Sequence, residues 1–326
     1  MEIVFIHLGK SLPKYLIKNI QRTRQLFPSY SITLIVSEPA LCKKKVNGAS
    51  HIFFYELSSS LLNHSSGLIL KTESRSRFWR YSFERLLAFS AWHETKPDTK
   101  AIHIESDVIL LPEFKFESFE SSKKLMWANV NSDHDIAALL FSPSFRESNW
   151  LSLKLCEQLA INPNVTDMTG LFNIRKSFST RIDELVTVPI PKIQKIKLEK
   201  KHLLYDGARI GMWLSGEDPR NHFGFLIKHI QHLDSDVKPA DYEFHINEAG
   251  AITIKNEGLS WQLQNLHIHS KRLELFSNSN NDQLLKDIKE SMNKEKKVEF
   301  TPVLSSLILL GKIKNQLWKL REAKSS

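Results

Sequence analysis

The first 36 residues constrain the fold most, because an apolar strand, an amphipathic helix and a second apolar strand follow one another. Glu2–Ile6 and Ser31–Val36 are short apolar runs, and Lys14–Leu26 places apolar side chains at helical spacing. Such a β-α-β unit predicts a parallel sheet, since two parallel strands need a crossover connection. Ligands bind these sheets at the carboxyl ends of the strands. We therefore expect one α/β domain over residues 1–280.

The charge of the chain indicates its ligands only in part. The 326 residues carry a formal net charge of +9, which favours phosphate-bearing ligands. No zinc-finger spacing, RNP-like aromatic signature or helix-turn-helix pattern occurs in the sequence, so we expect no nucleic-acid partner. Cys42 and Cys156 form no C-x-x-C pair, and so predict neither a disulfide framework nor a thiolate zinc site.

The N-terminal segment predicts a strand rather than a signal peptide, because Glu2 precedes a run of only four apolar residues. No stretch approaches the roughly 18 apolar residues of a membrane span, and we expect a cytoplasmic protein. The first turn, His7-Leu8-Gly9, lacks the G-x-G-x-x-G fingerprint. That absence counts against a dinucleotide dehydrogenase or a methyltransferase.

Two carboxylates stand out in the segment HIESDV, where Glu105 and Asp107 are two positions apart. In a strand, side chains at this spacing share one face. Buried carboxylates are costly unless they are paired or bind a cation. Mn²⁺ or Mg²⁺ bridging them to a diphosphate would act as a Lewis acid. The alternative is a solvated loop without a metal.

A second candidate is the late segment NLHIHSK, which contains His267, His269 and Lys271. A neutral imidazole can complete a carboxylate metal site, and a lysine can bind phosphate. The alternative is a structural histidine pair on a strand.

Two further segments have both structural and functional interpretations. Asp206 and Asp218 flank a short glycine-containing helix; Asp206 is either its N-cap or a general base, and Asp218 is the rival base. Arg77 and Arg80 flank the start of an aromatic helix predicted from about Phe78 to Trp92. They are candidates for binding a diphosphate, although Arg80 and Glu84 also have the spacing of a helical ion pair.

Four segments in this order, FWRYSFERL, HIESDVIL, YDGARIGMWLSGEDPRN and NLHIHSK, resemble a group of GT-A glycosyltransferases from microbial surface-polysaccharide and glycan-assembly loci. The similarity runs from Glu2 to about Lys271. It implies the GT-A fold, a Rossmann-like nucleotide-binding α/β sheet that is mixed but mainly parallel and flanked by helices. It also implies a nucleotide-sugar donor, a divalent metal cofactor (Mn or Mg) and transfer to a hydroxyl of a glycan acceptor, on a surface polysaccharide, glycolipid or glycoprotein.

The resemblance also assigns roles to individual residues. Glu105 and Asp107 form an E-x-D version of the D-x-D metal motif, completed by His267 or His269, and Asp206 and Asp218 become the catalytic candidates beside the acceptor. The predicted donor-binding residues are His7, Gly9, Arg77, Arg80, Glu105, Ser106 and Lys271. Two other functions remain open: a metal-dependent nucleotidyltransferase that uses the same carboxylates, and a non-catalytic glycan-binding or scaffold protein on a degenerate transferase fold.

Residues 281–326 are predicted to form a separate basic, amphipathic helical tail. Val303–Arg321 places apolar residues along one helical face, and five Lys/Arg and one Glu lie between Lys312 and Lys324. Such a helix can lie on an anionic membrane surface, which would make the protein peripheral on the cytoplasmic face of the membrane. The alternative is a helix that packs on the domain or forms a dimer contact.

Overall fold

The computed structural model describes residues 1–57, 76–162, 165–188, 203–215, 242–256, 258–269, 271 and 273, with backbone only for 76–80 and 213–215. Its strands are β1 (Glu2–His7), β2 (Ser31–Val36), β3 (His51–Phe54), β4 (Ala101–Ile104), β5 (Val108–Leu110), β6 (Leu125–Asn129), β7 (Asp135–Ser142), β8 (Ile182–Leu185), β9 (Leu203–Leu204), β10 (Glu243–Ile246), β11 (Ile252–Asn256), β12 (Leu259–Leu263) and β13 (Asn265–His267). Its helices are α1 (Lys14–Leu26), α2 (Pro39–Cys42), α3 (Ser76–Glu94), α4 (Glu117–Glu120), α5 (Phe145–Ile161), α6 (Asp167–Ser177) and α7 (Arg209–Ser215).

The main sheet has the strand order β3-β2-β1-β4-β7-β6-β8 among the described residues. β1 to β4 are parallel, β7 is antiparallel to both of its neighbours, and β6 and β8 pair in parallel. The chain therefore adds β2 and β3 on one side of β1 and then returns to place β4 on the other side. The predicted α/β class with a mixed, mainly parallel sheet is confirmed.

Helices cover both faces of this sheet, which is why its central strands β1, β2 and β4 are apolar in most positions. On β1, Ile3 and Phe5 pack on the side of α1, with Leu16 and Ile20 of that helix. Val4 and Ile6 pack on the opposite side, where α3, α5 and α6 supply their apolar faces. The two cores fix the position of each strand along its own axis. They therefore also determine where the strands end and where the loops at those ends come together.

A smaller sheet, β10-β11-β12-β9, packs around Trp261 and forms a third apolar cluster. It connects directly to β13, which pairs antiparallel with β5 through Leu266 and Ile109. This two-stranded ladder attaches the end of the described chain to the strand that follows the carboxylate pair.

The structure corrects the expected strand over Ala101–Leu111. It consists of β4 and β5, separated by a turn in which the Val108 amide donates to the Glu105 carbonyl at 3.0 Å. Glu105 and Asp107 therefore lie in a turn, and the prediction that they share one face of a strand was wrong. The turn occurs because β5 leaves the main sheet to pair with β13.

Two sequence predictions, on membrane-spanning helices and on the C-terminal tail, are tested to different extents by the structure. Within the described residues, no helix is both long and apolar enough to cross a membrane. The predicted tail over residues 281–326, and with it the boundary of the domain near residue 280, lies outside the described part of the chain.

Candidate functional site

The candidate site lies at the carboxyl ends of β1 and β4, where the strand order reverses direction. Phe5 and Ile104 are paired neighbours; Ile104 is the last residue of β4, and Phe5 lies two residues before the end of β1. In open α/β sheets, ligands bind at the carboxyl ends of the strands where the strand order reverses. His7 and Glu105 are thus brought to the same edge of the sheet.

The turn after β4 is held from two sides by buried hydrogen bonds. The Glu105 amide donates to the Ala138 carbonyl of β7 at 2.9 Å. From α1, the Asn19 side-chain amide donates to the carbonyls of Ser106 at 3.2 Å and Val108 at 2.7 Å. Asn19 is only 1% exposed, so these bonds are shielded from water and fix the position of both carboxylates.

His267, at the end of β13, completes a compact cluster with the two carboxylates. Its Nε2 atom lies 3.4 Å from Oε2 of Glu105 and 3.5 Å from Oδ2 of Asp107. Among the described residues, these three offer ligand atoms that all lie within 4.8 Å of one another. The β5–β13 ladder causes this convergence, since it pairs His267 with Val108, the residue next to Asp107.

The orientation of the His267 ring is set by its other nitrogen. Nδ1 lies 2.7 Å from the Gly207 carbonyl oxygen, which can only accept a hydrogen bond. Nδ1 therefore carries a proton, and Nε2 faces the carboxylates. This is the arrangement in which a histidine binds a metal through Nε2, while the carbonyl that accepts from Nδ1 fixes the tautomer.

The electrostatics of the cluster are those of tightly coupled, buried charges. Burial alone would raise the pKa of Asp107, but the charges of Lys271 and His267 hold it well below its usual value. Burial opposes a charge on His267 as well, yet Asp107 and Glu105 raise its pKa to about 9. A cation is therefore favoured at this position, and a metal that binds Nε2 must displace a proton.

Lys271 places its ammonium group against Oδ2 of Asp107. Burial lowers the pKa of this lysine, but Asp107, with Tyr15 and Glu105, more than reverses this and leaves the pKa above its ordinary value, so the side chain stays charged. Its backbone adopts the left-handed conformation with φ of 59°, which costs free energy for a residue with a side chain. The strained conformation occurs at the position where the ammonium group of Lys271 contacts the carboxylate pair.

Arg85, on α3, joins a third carboxylate to the site. Its guanidinium lies 2.5 Å from Glu105 and 3.1 Å from Asp167 at the start of α6. The side chains of Glu105 and Asp167 are 11% and 4% exposed. Burial raises the pKa of Asp167, and the charge of Arg85 only partly reverses this. Asp167 Oδ1 and Arg85 Nε are buried without a hydrogen-bond partner in the described structure.

The residues present fit a divalent metal. Two atoms that each bind a metal at about 2.1 Å are about 3.0 Å apart when adjacent and farther apart when opposite. The distances from His267 Nε2 to the oxygens of Glu105 and Asp107, 3.4 and 3.5 Å, lie between these two limits. Two carboxylates and one imidazole form a hard, mainly oxygen donor set. Glu105, Asp107 and His267 would hold the ion, while Arg85 and Lys271 remain as cations beside it.

The other predicted site residues fall into two groups. His7 lies at the end of β1, with Nε2 2.8 Å from the Ser11 carbonyl, and a side chain at Gly9 would come within 2.7 Å of that nitrogen. Ser106 lies in the turn itself. These positions suit their predicted donor role, which stays a prediction. The side chains of Arg77 and Arg80, and Asp218 as a whole, lie outside the described residues.

The structure bears on two alternatives that the sequence left open: His267 or His269 as the metal ligand, and a capping or a catalytic role for Asp206. His267 belongs to the cluster with Glu105 and Asp107, whereas His269 lies beside it with ring centroids 4.1 Å apart and ring planes tilted by 30°, so the structure favours His267 as the ligand. Asp206 is 1% exposed and accepts backbone hydrogen bonds from Ile210 and Gly211. This arrangement favours the capping interpretation, although Asp206 lies three residues before α7 rather than directly at its start.

Four residues of the site were missed by sequence reasoning. None of Arg85, Asn19, Asp167 and Gly211 was predicted as a site residue. Asp167 follows Thr166, whose side chain caps α6 by accepting from the Thr169 amide at 3.2 Å. The pattern T-D-x-T predicts a helix start, but not that its acidic residue contacts Arg85.

The chain matches no protein-family profile, and no curated protein matches its sequence. Solved structures that resemble it include the following three of glycosyltransferases. Galactosyltransferase LgtC with donor and acceptor sugar analogues is 12% identical, with a TM-score of 0.39, over 62% of this chain and 80% of that one. An active-site mutant of LgtC is 13% identical, with a TM-score of 0.40, over 72% and 80%. GlyE of Streptococcus pneumoniae is 14% identical, with a TM-score of 0.36, over 56% and 44%.

Proposed function

We propose that the chain is a metal-dependent glycosyltransferase of the GT-A type. It would transfer a sugar from a nucleotide-sugar donor to a hydroxyl of a glycan acceptor. The observation that carries this proposal is the cluster of Glu105, Asp107 and His267 at the switch point of a nucleotide-binding type of sheet. The resemblance of the four sequence segments to GT-A enzymes supports the same conclusion.

The charge of the site suits a diphosphate. Three carboxylates (Glu105, Asp107 and Asp167) face three cations, Arg85, Lys271 and a protonated His267. A divalent ion that replaces the proton of His267 raises the charge of the cluster by one. The site then attracts an anion, and the ion supplies Lewis-acid stabilisation of the departing diphosphate. Lys271 is close enough to share that charge.

The donor set favours Mn²⁺ over Mg²⁺. Mg²⁺ prefers oxygen ligands and retains several waters, whereas an imidazole nitrogen suits transition metals better. His267 is 2% exposed and held in place by Gly207, so it is a fixed member of the set. We therefore expect tighter binding of Mn²⁺ than of Mg²⁺.

The test is a panel of nucleotides and nucleotide sugars with Mn²⁺, read as thermal shifts. Ligands that bind the native state raise the melting temperature, and mass spectrometry then detects the hydrolysed or transferred sugar. Asp107→Asn should abolish sugar release and the Mn²⁺-dependent shift while the protein stays folded. Asp183→Asn is the matched control, because Asp183 forms an exposed pair with Lys124.

Two results would contradict the proposal. Nucleoside triphosphates that stabilise the protein where every nucleotide sugar fails would favour nucleotidyl transfer. Full activity of folded Asp107→Asn would remove the metal assignment. The cytoplasmic location and the membrane-binding tail stay predictions from the sequence.

A further inference from the structure

Both oxygens of the Asp206 carboxylate accept backbone hydrogen bonds, and one of the donors is the amide of His267. Oδ2 accepts from the amides of His267 at 2.9 Å and Gly211 at 2.7 Å. Oδ1 accepts from the amide of Ile210 at 3.0 Å. The side chain thus joins the first turn of α7 to β13, the strand that ends in the candidate metal ligand.

The backbone around Asp206 also forms hydrogen bonds that hold His267 and its strand in place. The Gly207 carbonyl accepts the Nδ1 proton of the imidazole at 2.7 Å. The Asn265 side chain pairs with both backbone groups of Asp206, donating to its carbonyl at 2.9 Å and accepting from its amide at 3.2 Å. Every one of these contacts is buried, so each is stronger than the same bond in water.

Gly211 shows how closely α7 approaches this strand. A Cβ atom there would come within 2.5 Å of the carbonyl carbon of His267 and within 2.9 Å of Asp206 Oδ2. Real side chains do not occupy such space, so glycine is required for contact between the two backbones. The helix and the strand are therefore in direct backbone contact at the position of the metal ligand.

We propose that Asp206 is a positioning residue for His267, not a general base. Together with Gly207 and Gly211 it holds the imidazole with Nε2 aimed at Glu105 and Asp107. The proposal rests on the metal site of the proposed function and adds to it the element that presets the nitrogen ligand. Loss of contacts that hold a metal ligand in place typically weakens metal affinity about 10- to 100-fold.

The same geometry disfavours direct catalysis by Asp206. A general base must come within hydrogen-bond reach of the proton that it removes, but Asp206 is 1% exposed. Both of its oxygens already accept backbone hydrogen bonds, which fold α7 against β13. Releasing an oxygen toward a substrate would break the contacts that position the metal ligand.

The experiment measures Mn²⁺ binding directly, by the electron paramagnetic resonance signal of free Mn²⁺. Asp206→Ala, which removes all three acceptor contacts, should raise the Kd for Mn²⁺ about 10- to 100-fold. Asp206→Asn keeps one acceptor oxygen and should give a smaller rise. In both variants, hydrolysis of the donor found in the panel should recover to within a few-fold of wild type at saturating Mn²⁺. Asp183→Asn is again the exposed control and should bind Mn²⁺ as the wild type does.

The outcomes separate this proposal from the proposed function. If Asp107→Asn weakens Mn²⁺ binding and Asp206→Ala does not, the metal site stands and positioning by Asp206 is refuted. A transfer rate that stays low in Asp206→Ala at every Mn²⁺ concentration, with normal Mn²⁺ affinity, would restore the general base. Normal Mn²⁺ binding by Asp107→Asn would instead overturn the metal site. Loss of the folded state in both Asp206 variants, seen by circular dichroism, would show that Asp206 acts on the fold alone and would also refute the proposal.

Discussion

Replacing Arg85 with methionine should destabilise the protein and yet strengthen its binding of metal. The guanidinium is the counter-ion of Glu105 and Asp167, and the three side chains are 16%, 11% and 4% exposed. Breaking a buried ion pair by removing one partner costs about 3–5 kcal/mol. Because Glu105 keeps His267 Nε2 at 3.4 Å, we expect a loss of about 3 kcal/mol in the free energy of unfolding.

Bound Mn²⁺ should reduce that loss, since the ion supplies the charge that Glu105 needs and leaves only Asp167 without a partner. If the loss falls by about 1.4 kcal/mol, the thermodynamic cycle requires about tenfold tighter Mn²⁺ binding by Arg85→Met. Urea unfolding with and without saturating Mn²⁺ measures the two losses. The electron paramagnetic resonance titration measures the Kd independently.

Arg181→Met is the matched control, because Arg181 pairs with Glu147 in a half-buried position away from the site. Its loss of stability should be the same with and without Mn²⁺. The reasoning is refuted if Arg85→Met loses equal stability in both conditions, or if it binds Mn²⁺ more weakly than the wild type. Either result would mean that Arg85 holds the site in shape rather than balancing its charge.

Two further predictions concern other parts of the chain. Arg175→Met should lower the free energy of unfolding by about 3 kcal/mol in a urea titration, because the fully buried Asp135 would lose its bonds at 2.6 and 2.9 Å. Breaking the exposed ion pair of Lys154 should lower the free energy of unfolding by at most about 0.5 kcal/mol. If Lys154→Met loses as much stability as Arg175→Met, the effect of Arg175 does not come from its buried bonds to Asp135. Truncation after Glu299 should leave a cooperative thermal melt and weaken sedimentation with anionic vesicles; aggregation would place the tail in the core.

The sequence predicted the start of the fold well, for a physical reason. The β1, α1 and β2 segments each have a single consistent periodicity, and the observed bounds of α1 and β2 equal the predicted ones. The segment after β4 failed because the run AIHIESDVILL is apolar on both sides of the carboxylates. Nothing local in it shows that β5 pairs with β13 instead of continuing in the main sheet.

The site was predicted from its charged residues and only partly from its neighbours. Glu105, Asp107, His267 and Lys271 were identified as residue types that bind metal and phosphate, and the structure brings them together. The preference for His267 over His269 could not be derived, because it depends on the Gly207 carbonyl. Arg85 and Asp167 meet only through the packing of α3 and α6, which sequence periodicity does not specify.

The β5–β13 ladder has a consequence for how the protein is made. Lys271 and Asp107 are 164 positions apart, so a ribosome working at about 5–20 residues per second needs roughly 10–30 s between them. Throughout that interval the nascent chain presents Glu105 and Asp107 without their histidine or lysine partner. Arg85, which is synthesised earlier, is the cation already at hand for Glu105. Mn²⁺ binding at the proposed site would therefore report that β13 has docked, and a pulse of Mn²⁺ during refolding would time this step.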